Sequence, residues 1–389
     1  MQVYELLSVG VVILIGLLGG SLSHRIKIPK VTGYMIIGLV FGPSVLGFLT
    51  SQTLQDIHMI NDIALGLILF AIGGEFEINH LRSLRSRVLL IALVESFGAL
   101  TFVTITTFLI SGDPGLSILL GAISMATAPG VTLLVVREYR ARGDVTETLL
   151  AVVALNNVIC LLMFRLCFAF YSLAEGVTIA TVAFELLKEL AGSLVIGIGI
   201  GAMITYWEQK IDDLSELLLV IIGGLLVGIG LSVTIGISHL AVSLIIGAVT
   251  NNLSMMHRLV YAELRQTEMP FYIAFFVLSG ASLHIGSLYH LGFLGLAYLL
   301  SRPAGKWLGS YIAGRKLNAG PAITKYLGPA LVPQAGVAIG MFITVRETYP
   351  EMGQIIGTVI LSSVIVYEGI GPFMTRLALV RAKEINPQD

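Results

Sequence analysis

The sequence is poor in charge and nearly free of cysteine. Charged side chains make up 12% of the 389 residues, against about 25% in ordinary soluble domains. Apolar residues make up 56% of the chain, and the mean hydropathy is +0.91. This composition excludes a soluble protein and leaves no soluble domain of appreciable size, so we expect a polytopic membrane protein.

Other absences exclude further classes. The two cysteines, Cys160 and Cys167, lie in one apolar segment, which argues against a disulfide or a metal site. The sequence has no P-loop motif, which argues against an ATP-driven pump. No basic region precedes the first apolar run, so we expect no cleavable signal peptide. We expect no enzymatic activity, no cofactor and no nucleic-acid partner.

The apolar residues fall into runs of a length that can cross the ~30 Å hydrocarbon core of a bilayer. These runs lie at 3–22, 31–49, 57–78, 88–110, 114–136, 145–171, 179–206, 214–232, 237–250, 270–285, 287–313, 322–345 and 350–377. The sequence therefore predicts an all-α polytopic membrane protein with about 13 transmembrane helices. Lysine and arginine concentrate in the loops after odd-numbered helices, which predicts an outside N-terminus and a cytoplasmic C-terminus.

The two halves of the sequence resemble each other. Residues 69–78 (LFAIGGEFEI) align with 276–285 (FVLSGASLHI), and Pro129 and Pro333 lie 204 residues apart in equivalent runs. Because seven helices separate equivalent ones, the second copy is predicted to be inverted in the membrane. The predicted parts are a first repeat at 1–178 (helices 1–6, core 3–6), a linker helix at 179–213 and a second repeat at 214–389 (helices 8–13, core 10–13).

Each repeat has one helix interrupted by a proline with a glycine one to three residues after it, at 127–130 (TAPG) and 332–336 (VPQAG). Proline removes an amide donor and glycine lets the backbone leave helical geometry. Matched breaks favour two unwound segments that cross in the membrane, although a lone proline often makes only a packing kink. The candidate site residues at the crossing are Thr127, Ala128, Pro129 and Gln334.

Two adjacent amides, Asn156 and Asn157, lie near the middle of the apolar run 145–171. Lipid cannot satisfy their donors and acceptors, and polar residues at this depth point to a functional site. The alternative is an interhelical hydrogen-bond contact, which is common for a single asparagine. We favour a monovalent-cation site with Asn156, Asn157 and Thr127 as oxygen ligands.

A few charged residues also fall at or near membrane depth, where each needs a partner or a wet cavity. They are Glu75, Glu95, Glu368, Arg165, Arg302 and Lys306. Each carboxylate is a candidate proton carrier or a charge partner of Arg302. Alternatively, Glu75 is an interfacial helix-end residue and Glu95 is a structural partner of a basic group. Arg165 and Lys306 have side chains long enough to snorkel to an interface.

Several motifs, in order along nearly the whole chain, resemble the monovalent cation/proton antiporter superfamily, in particular its Kef- and NapA-type branch. They are 28–34 (IPKVTGY), 38–44 (GLVFGPS), 73–75 (GGE), 127–130 (TAPG), 275–281 (FFVLSGA), Arg302 with 305–306 (GK), 332–338 (VPQAGVA) and Glu368 before 371–372 (GP). The resemblance implies a NapA/NhaA-like fold with crossed discontinuous helices. It also implies a homodimer whose core domain moves against a dimerisation domain, and we expect it in a bacterial or archaeal inner membrane.

The resemblance also implies an ion site on the sixth helix, with Arg302 compensating the negative helix ends at the crossing. Members of the superfamily carry an Asp there, preceded by Asp, Asn or Gln, and this Asp binds either the cation or the proton. The present sequence has Asn156-Asn157 instead, and an asparagine does not titrate. Simple antiport through an aspartate at this position is therefore not expected.

Three functions remain open on the sequence. The first is secondary transport of Na⁺ or K⁺ in exchange for H⁺ through a displaced carboxylate. The second is Na⁺-coupled symport of an organic anion, or proton-independent cation transport. The third is a non-transporting sensor or a channel-like leak. The order and spacing of the motifs favour the first.

Overall fold

A computed structural model of the protein describes residues 2–25, 28–74, 78–174, 178–211, 214–254, 269–283 and 292–385. Within these ranges the chain forms α-helices and no β-strand, as the hydropathy pattern predicts. The helices are α1 (Gln2–Arg25), α2 (Lys30–Phe41), α3 (Ser51–Asp56), α4 (His58–Gly73), α5 (Ile78–Ser111), α6 (Pro114–Ser124), α7 (Pro129–Glu138), α8 (Asp144–Ala174), α9 (Ile179–Glu208), α10 (Leu214–Ile235), α11 (His239–Leu253), α12 (Met269–Ala281), α13 (Gly292–Lys316), α14 (Pro321–Ala330), α15 (Gly336–Thr348) and α16 (Pro350–Arg381).

Seven segments of the described chain are long and apolar enough to cross a membrane. They are Leu7–Arg25, Arg87–Ser111, Pro114–Glu138, Asp144–Leu173, Ile179–Glu208, Glu216–Ile235 and Pro350–Arg381. Several other apolar helices are shorter, at 10–17 residues. The total of thirteen and the inversion of the repeats therefore stay predictions from the sequence.

One predicted run ends earlier than expected. The run 31–49 is helical only as far as Phe41, because Gly42 adopts an extended conformation with ψ near 176°. Pro43 follows directly, and a proline disfavours helical geometry in the residue before it. Hydropathy alone placed the end of this helix too late, because the Gly42-Pro43 pair ends it within the apolar run.

Two of the predicted runs are broken near their middle. The run 114–136 is divided into α6 and α7, with residues 125–128 between them, and the run 322–345 is divided into α14 and α15, with 331–335 between them. Pro129 is the first residue of α7, where its missing amide donor costs nothing. The main-chain amide of Ala128 donates to the carbonyl of Pro333 at 2.9 Å, so the two interruptions lie directly against each other.

The packing of α5 against α13 brings the buried charged residues together. A Cβ on Gly305 would lie 2.7 Å from the carbonyl oxygen of Gly98, so the two backbones approach more closely than side chains would allow. Small residues permit such close crossings between membrane helices. Glu95 lies one turn from Gly98 on α5, and Lys306 follows Gly305 on α13, which places both next to the broken helices.

The helices fall into two sets of neighbours. One set is built on α5 and α13 and includes α6, α8, α14, α15 and α16. In the other, α4 packs on α11, α11 on α9 and α10, and α12 on α1 and α2. The sets contact each other where α16 lies on α2 and where α8 lies on α9 and α4. Helix α7 lies between them, on α16 and α8 of the first set and on α4 and α2 of the second. The crossing of the broken helices belongs to the first set.

Candidate functional site

Arg302 joins the two interrupted segments. Its guanidinium donates to the carbonyls of Ser124 at 3.0 Å and Ala126 at 2.6 Å, on one segment. On the other segment it donates to Val332 at 2.6 Å and Pro333 at 3.3 Å. The side chain is fully buried, and its guanidinium carbon lies 4.6 Å from the centre of the Tyr367 ring. Carbonyls at helix C-termini carry partial negative charge, and Arg302 places a positive charge among them.

Lys306, one turn further along α13, contacts the same crossing. Its ammonium donates to the Glu95 carboxylate at 2.5 Å, to the carbonyl of Met125 at 2.9 Å and to the Thr127 hydroxyl at 3.0 Å. Both members of the ion pair are 0% exposed. The expectation that Lys306 snorkels to an interface is therefore wrong, because the side chain has three acceptors in the interior.

The amide of Asn156 completes this network. Its Nδ2 donates to the second Glu95 oxygen at 3.0 Å and to the Ser96 hydroxyl at 2.8 Å. Asn157 points elsewhere, and its Nδ2 donates to the carbonyl of Val153 at 2.7 Å. The two side-chain carbonyl oxygens are buried and have no hydrogen-bond donor among the described residues. Buried polar atoms are normally paired, so these two oxygens are available to water or to a cation.

Gln334 holds the second broken segment against the first. Its Nε2 donates to the carbonyl of Ile123 at 3.1 Å and to the hydroxyl of Tyr298 at 2.8 Å. Ala128 contributes its main-chain amide to the crossing, while its carbonyl accepts from the Thr132 hydroxyl at 3.1 Å. In this arrangement Gln334 and Ala128 bind the two segments together, and their polar groups are already in use.

The other candidate residues lie apart from this network. Arg165 makes an ion pair with Glu189 of α9 at 3.6 Å, and a third of its side chain is exposed. Glu368 is buried at 1% exposure and makes no hydrogen bond or ion pair with the described residues, so it does not neutralise Arg302. Glu75 lies outside the described residues.

Three members of the network were not identified from the sequence. Ser96 was missed although it follows Glu95 directly. Tyr298 lies four residues before Arg302, so both are on the same face of α13, a spacing that could have indicated it. The contribution of the Met125 carbonyl has no side-chain signal at all, because it depends on where the first helix unwinds.

Two cavities approach α8 from opposite ends. The first, which we call the His239 cavity, has a volume of about 520 Å³ and reaches Leu161 of α8. The second, which we call the Lys30 cavity, has a volume of about 680 Å³ and reaches Leu150 of α8. Asn156 and Asn157 lie between these two positions and line neither cavity. The polar network is therefore enclosed between the two cavities.

A buried polar network at crossed, interrupted helices, flanked by two cavities, is the arrangement of a secondary transporter. The chain belongs to the sodium/hydrogen exchanger family: the family model described as "Sodium/hydrogen exchanger, transmembrane" matches residues 10–376.

Individual relatives are distant. The chain is 21% identical to the ammonium/H⁺ antiporter subunit AmhT of Alkalihalophilus pseudofirmus over 288 residues, which cover 71% of this chain and 70% of AmhT. It is 22% identical to the Na⁺/H⁺-K⁺ antiporter GerN of Bacillus cereus over 181 residues, 46% of each chain. The solved structure of the sodium proton antiporter MjNhaP1 from Methanocaldococcus jannaschii at pH 8 has a similar fold. It superposes with a TM-score of 0.75 at 18% identity and covers 98% of this chain and 97% of MjNhaP1.

Proposed function

We propose that the protein exchanges a monovalent cation, Na⁺ or K⁺, for H⁺ across a membrane by alternating access. Membership of the sodium/hydrogen exchanger family supports exchange as the reaction class. The names of the relatives GerN and AmhT support K⁺ and ammonium as cations to be tested beside Na⁺. The motifs shared with the antiporter superfamily support a homodimer in a bacterial or archaeal inner membrane. The distribution of lysine and arginine between the loops supports an outside N-terminus and a cytoplasmic C-terminus.

One observation carries the proposal: the Glu95 carboxylate is shared between the Lys306 ammonium and the Asn156 amide in a fully buried position. A buried ion pair is stable only while both partners are present, because an isolated charge in such a place costs several kcal/mol, about 3–5 by mutation. A cation that takes the place of the ammonium beside Glu95 would leave Lys306 charged and unpaired. Lys306 then loses its proton, since desolvation disfavours the charged form of an amine.

This scheme balances charge at the site. One cation enters, one proton leaves Lys306, and Glu95 stays ionised throughout. In the reverse step a proton returns to the Lys306 amine, the ammonium pairs with Glu95 again, and the cation is released. The exchange thus needs no aspartate on α8, because the carboxylate comes from α5.

The oxygens around this position suit a hard monovalent cation. In the proposal the Oδ1 atoms of Asn156 and Asn157, the Thr127 hydroxyl and the Glu95 carboxylate act as ligands. Oxygen ligands of this kind are preferred by alkali and alkaline-earth cations. The unpartnered state of both amide oxygens supports their role, because a purely structural amide pair would have donors to both.

The proposal is tested with purified protein in liposomes that contain a pH-sensitive dye. Addition of Na⁺, K⁺, Rb⁺ or ammonium to the outside is expected to drive proton movement in the opposite direction. The Glu95→Gln variant is expected to abolish this signal, while Glu185→Gln, which changes an exposed carboxylate on α9, leaves it intact. Robust counterflow of radioactive sodium with flat dye traces at every pH would contradict proton exchange.

Sodium counterflow without proton flux would instead support the second candidate, a transporter of cations without proton coupling. This candidate includes Na⁺-coupled symport of an organic anion. The observation that favours it is the Asn156-Asn157 pair itself, because two amides form a neutral cation site. The two candidates differ in the role of Lys306. Lys306→Gln is expected to remove proton coupling in the first and to leave cation counterflow without a proton dependence in the second.

A further inference from the structure

Glu368 is a carboxylic acid in the protein interior without a partner among the residues that the structure describes. It lies in the middle of α16, is 1% exposed, and makes no hydrogen bond or ion pair with the described residues. By contrast Glu95, the buried carboxylate of the polar network, has three side-chain partners, Lys306, Asn156 and Ser96. An ionised carboxylate without any donor or counter-charge is strongly disfavoured in such surroundings.

Glu368 lines the His239 cavity. Other ionisable side chains in the wall of this cavity are Asp62 on α4, Arg165 on α8 and His239 on α11. Arg165 is paired with Glu189 at 3.6 Å, and His239 lies 3.9 Å from Asp62. Ser279 of α12 and Ser282, which directly follows that helix, also line this wall.

Among the described residues, no charged side chain of the helices packed against α16 forms an ion pair with Glu368. Arg302 of α13 stacks on Tyr367, and its guanidinium donates to main-chain carbonyls. The other charged residues of these helices, within the described part of the chain, likewise form no ion pair with Glu368. They are Lys30 of α2, Arg137 and Glu138 of α7, Lys306, Arg315 and Lys316 of α13, Lys325 of α14, and Arg346 of α15. The side chain of Glu347, on α15, lies outside the part that the structure describes.

The same cavity reaches the neighbourhood of the proposed ion site. Its wall includes Leu161, which is four residues after Asn157 and therefore on the same face of α8. It also includes Gly336, the first residue of α15, next to the interruption that holds Gln334. Glu368 thus borders the cavity that extends toward the site, without being part of the Glu95–Lys306 network.

We infer that Glu368 binds and releases a proton on the His239 side of the transport path. Its carboxyl group is neutral in this conformation. A hydronium ion in the cavity transfers its proton to the carboxylate, which leaves water and a neutral carboxyl group. The reverse transfer returns the proton to cavity water. The inference rests on the proposed function, since it adds a second proton-binding group to the exchange, and it places that group where the two sets of helices meet.

The test compares wild type, Glu368→Gln, Glu368→Asp and, as a matched control on the same helix, Glu351→Gln, which alters an exposed carboxylate in the first turn of α16. Two transport modes are measured in liposomes over a range of pH: cation-driven proton flux and isotopic cation counterflow. Glu368→Gln imitates the neutral acid, so counterflow is expected to persist, while proton flux falls by about a hundredfold. Glu368→Asp is expected to shift the pH profile of proton flux, and Glu351→Gln to match wild type.

A second readout is independent of transport. Infrared difference spectra on a rise in pH are expected to show the loss of a protonated-carboxyl band in wild type, and this change is expected to be missing in Glu368→Gln. If wild type carries no cation-dependent proton flux, the proposed function fails, and the infrared band still tests the protonation of Glu368 by itself. If wild type exchanges protons while Glu368→Gln retains both its flux and its pH profile, the inference is overturned. If Glu368→Gln does not fold, an unchanged pH profile in Glu368→Asp overturns it equally.

Discussion

The side-chain amide of Asn156 donates to the carboxylate of Glu95 at 3.0 Å, across 61 residues of sequence. The amide on α8 therefore orients the charged group on α5, and Glu95 presents its other oxygen to Lys306. A residue that cannot titrate thus controls the geometry of one that can.

The first prediction concerns this contact. Asn156→Ala leaves one oxygen of Glu95 without its donor from α8, and a buried acceptor that loses its partner costs about 1–3 kcal/mol. We expect a lower midpoint of thermal unfolding in detergent and a weaker apparent affinity for the transported cation. Asn252→Ala is the matched control, because Asn252 is half-buried on α11 and outside the network. Equal affinities in the two variants would remove Asn156 from the cation site.

The second prediction restores a titratable group at the neighbouring position. Asn157→Asp supplies a carboxyl that binds either a cation or a proton, and a desolvated carboxylate attracts a cation while it is ionised. We expect cation-dependent proton exchange to increase relative to wild type and to become more strongly dependent on pH. The measurement is dye-reported proton flux at several pH values in liposomes. A folded variant with no gain at any pH would argue that Asn157 does not face the ion path.

The third prediction separates the structural role of the Glu95–Lys306 pair from its role in transport. Lys306→Gln leaves Glu95 buried without its counter-charge, which costs about 3–5 kcal/mol. The double variant Glu95→Gln/Lys306→Gln is expected to recover part of that loss, since no isolated charge remains. Thermal unfolding of the two single variants and the double variant gives the coupling energy between the residues.

In the same variants, transport is not expected to recover together with stability. The double variant regains stability but stays unable to couple cations to protons, because both proposed groups are neutral. Additive losses of stability in the double variant would show that the two side chains do not interact as an ion pair. Recovery of proton flux in the double variant would place the coupling elsewhere.

The broken helices could be predicted because their cause is local. A proline removes a main-chain donor from its own helix, and Pro129 and Pro333 lie in equivalent runs of the two halves. Proline alone does not decide the matter, because Pro372 lies inside α16 without breaking it; the matching positions in the two halves indicated the breaks. The partner of Glu95 could not be predicted, because Lys306 lies 211 residues away in the sequence. That contact depends on how closely α5 and α13 approach at Gly98 and Gly305, which is a property of the packed structure. The same reason explains why the snorkelling expectation for Lys306 is wrong.

The position of the asparagine pair in an apolar run pointed correctly to a buried location, since both residues are at most 3% exposed. The sequence could not indicate that one amide uses its donors on Glu95 and Ser96 and the other on its own helix. Two neighbouring residues on a helix point in directions about 100° apart, so they meet different neighbours. Which neighbour each one meets is decided by tertiary packing, and no spacing rule provides it.

The fourth prediction concerns the geometry of Arg302. Its guanidinium reaches four main-chain carbonyls on the two interrupted segments. Arg302→Lys keeps the charge but loses the planar fork with its several donors, so we expect it to retain only part of the stability and transport. Arg302→Ala is expected to lose both, because the carbonyls at the crossing are left without a compensating charge. Wild-type stability and transport in Arg302→Ala would exclude a role for this residue at the crossing.

The fifth prediction concerns the end of the ion-site helix. The carboxylate of Glu384 accepts from the main-chain amides of Val145 and Thr146, each at 2.7 Å, and from the Thr146 hydroxyl at 2.6 Å. It therefore caps the first turn of α8 from a position just beyond the end of α16. An acidic cap at a helix N-terminus is stabilising through both hydrogen bonds and the helix dipole, by about 0.5–2 kcal/mol.

Glu384→Gln removes the charge and one acceptor oxygen while it keeps the size of the side chain. We expect a lower unfolding midpoint and faster hydrogen exchange in the first turn of α8, with less change near Asn156, which lies about three turns further along the helix. Hydrogen-exchange mass spectrometry of peptides that cover the start of α8 measures the effect, and Glu351→Gln serves as the control for loss of a carboxylate. Protection at the start of α8 equal to that of the control would show that the cap does not stabilise the helix end. If the exchange rate instead rises along α8 as far as the asparagine pair, the segment after α16 helps to position the ion-site residues as well as the end of their helix.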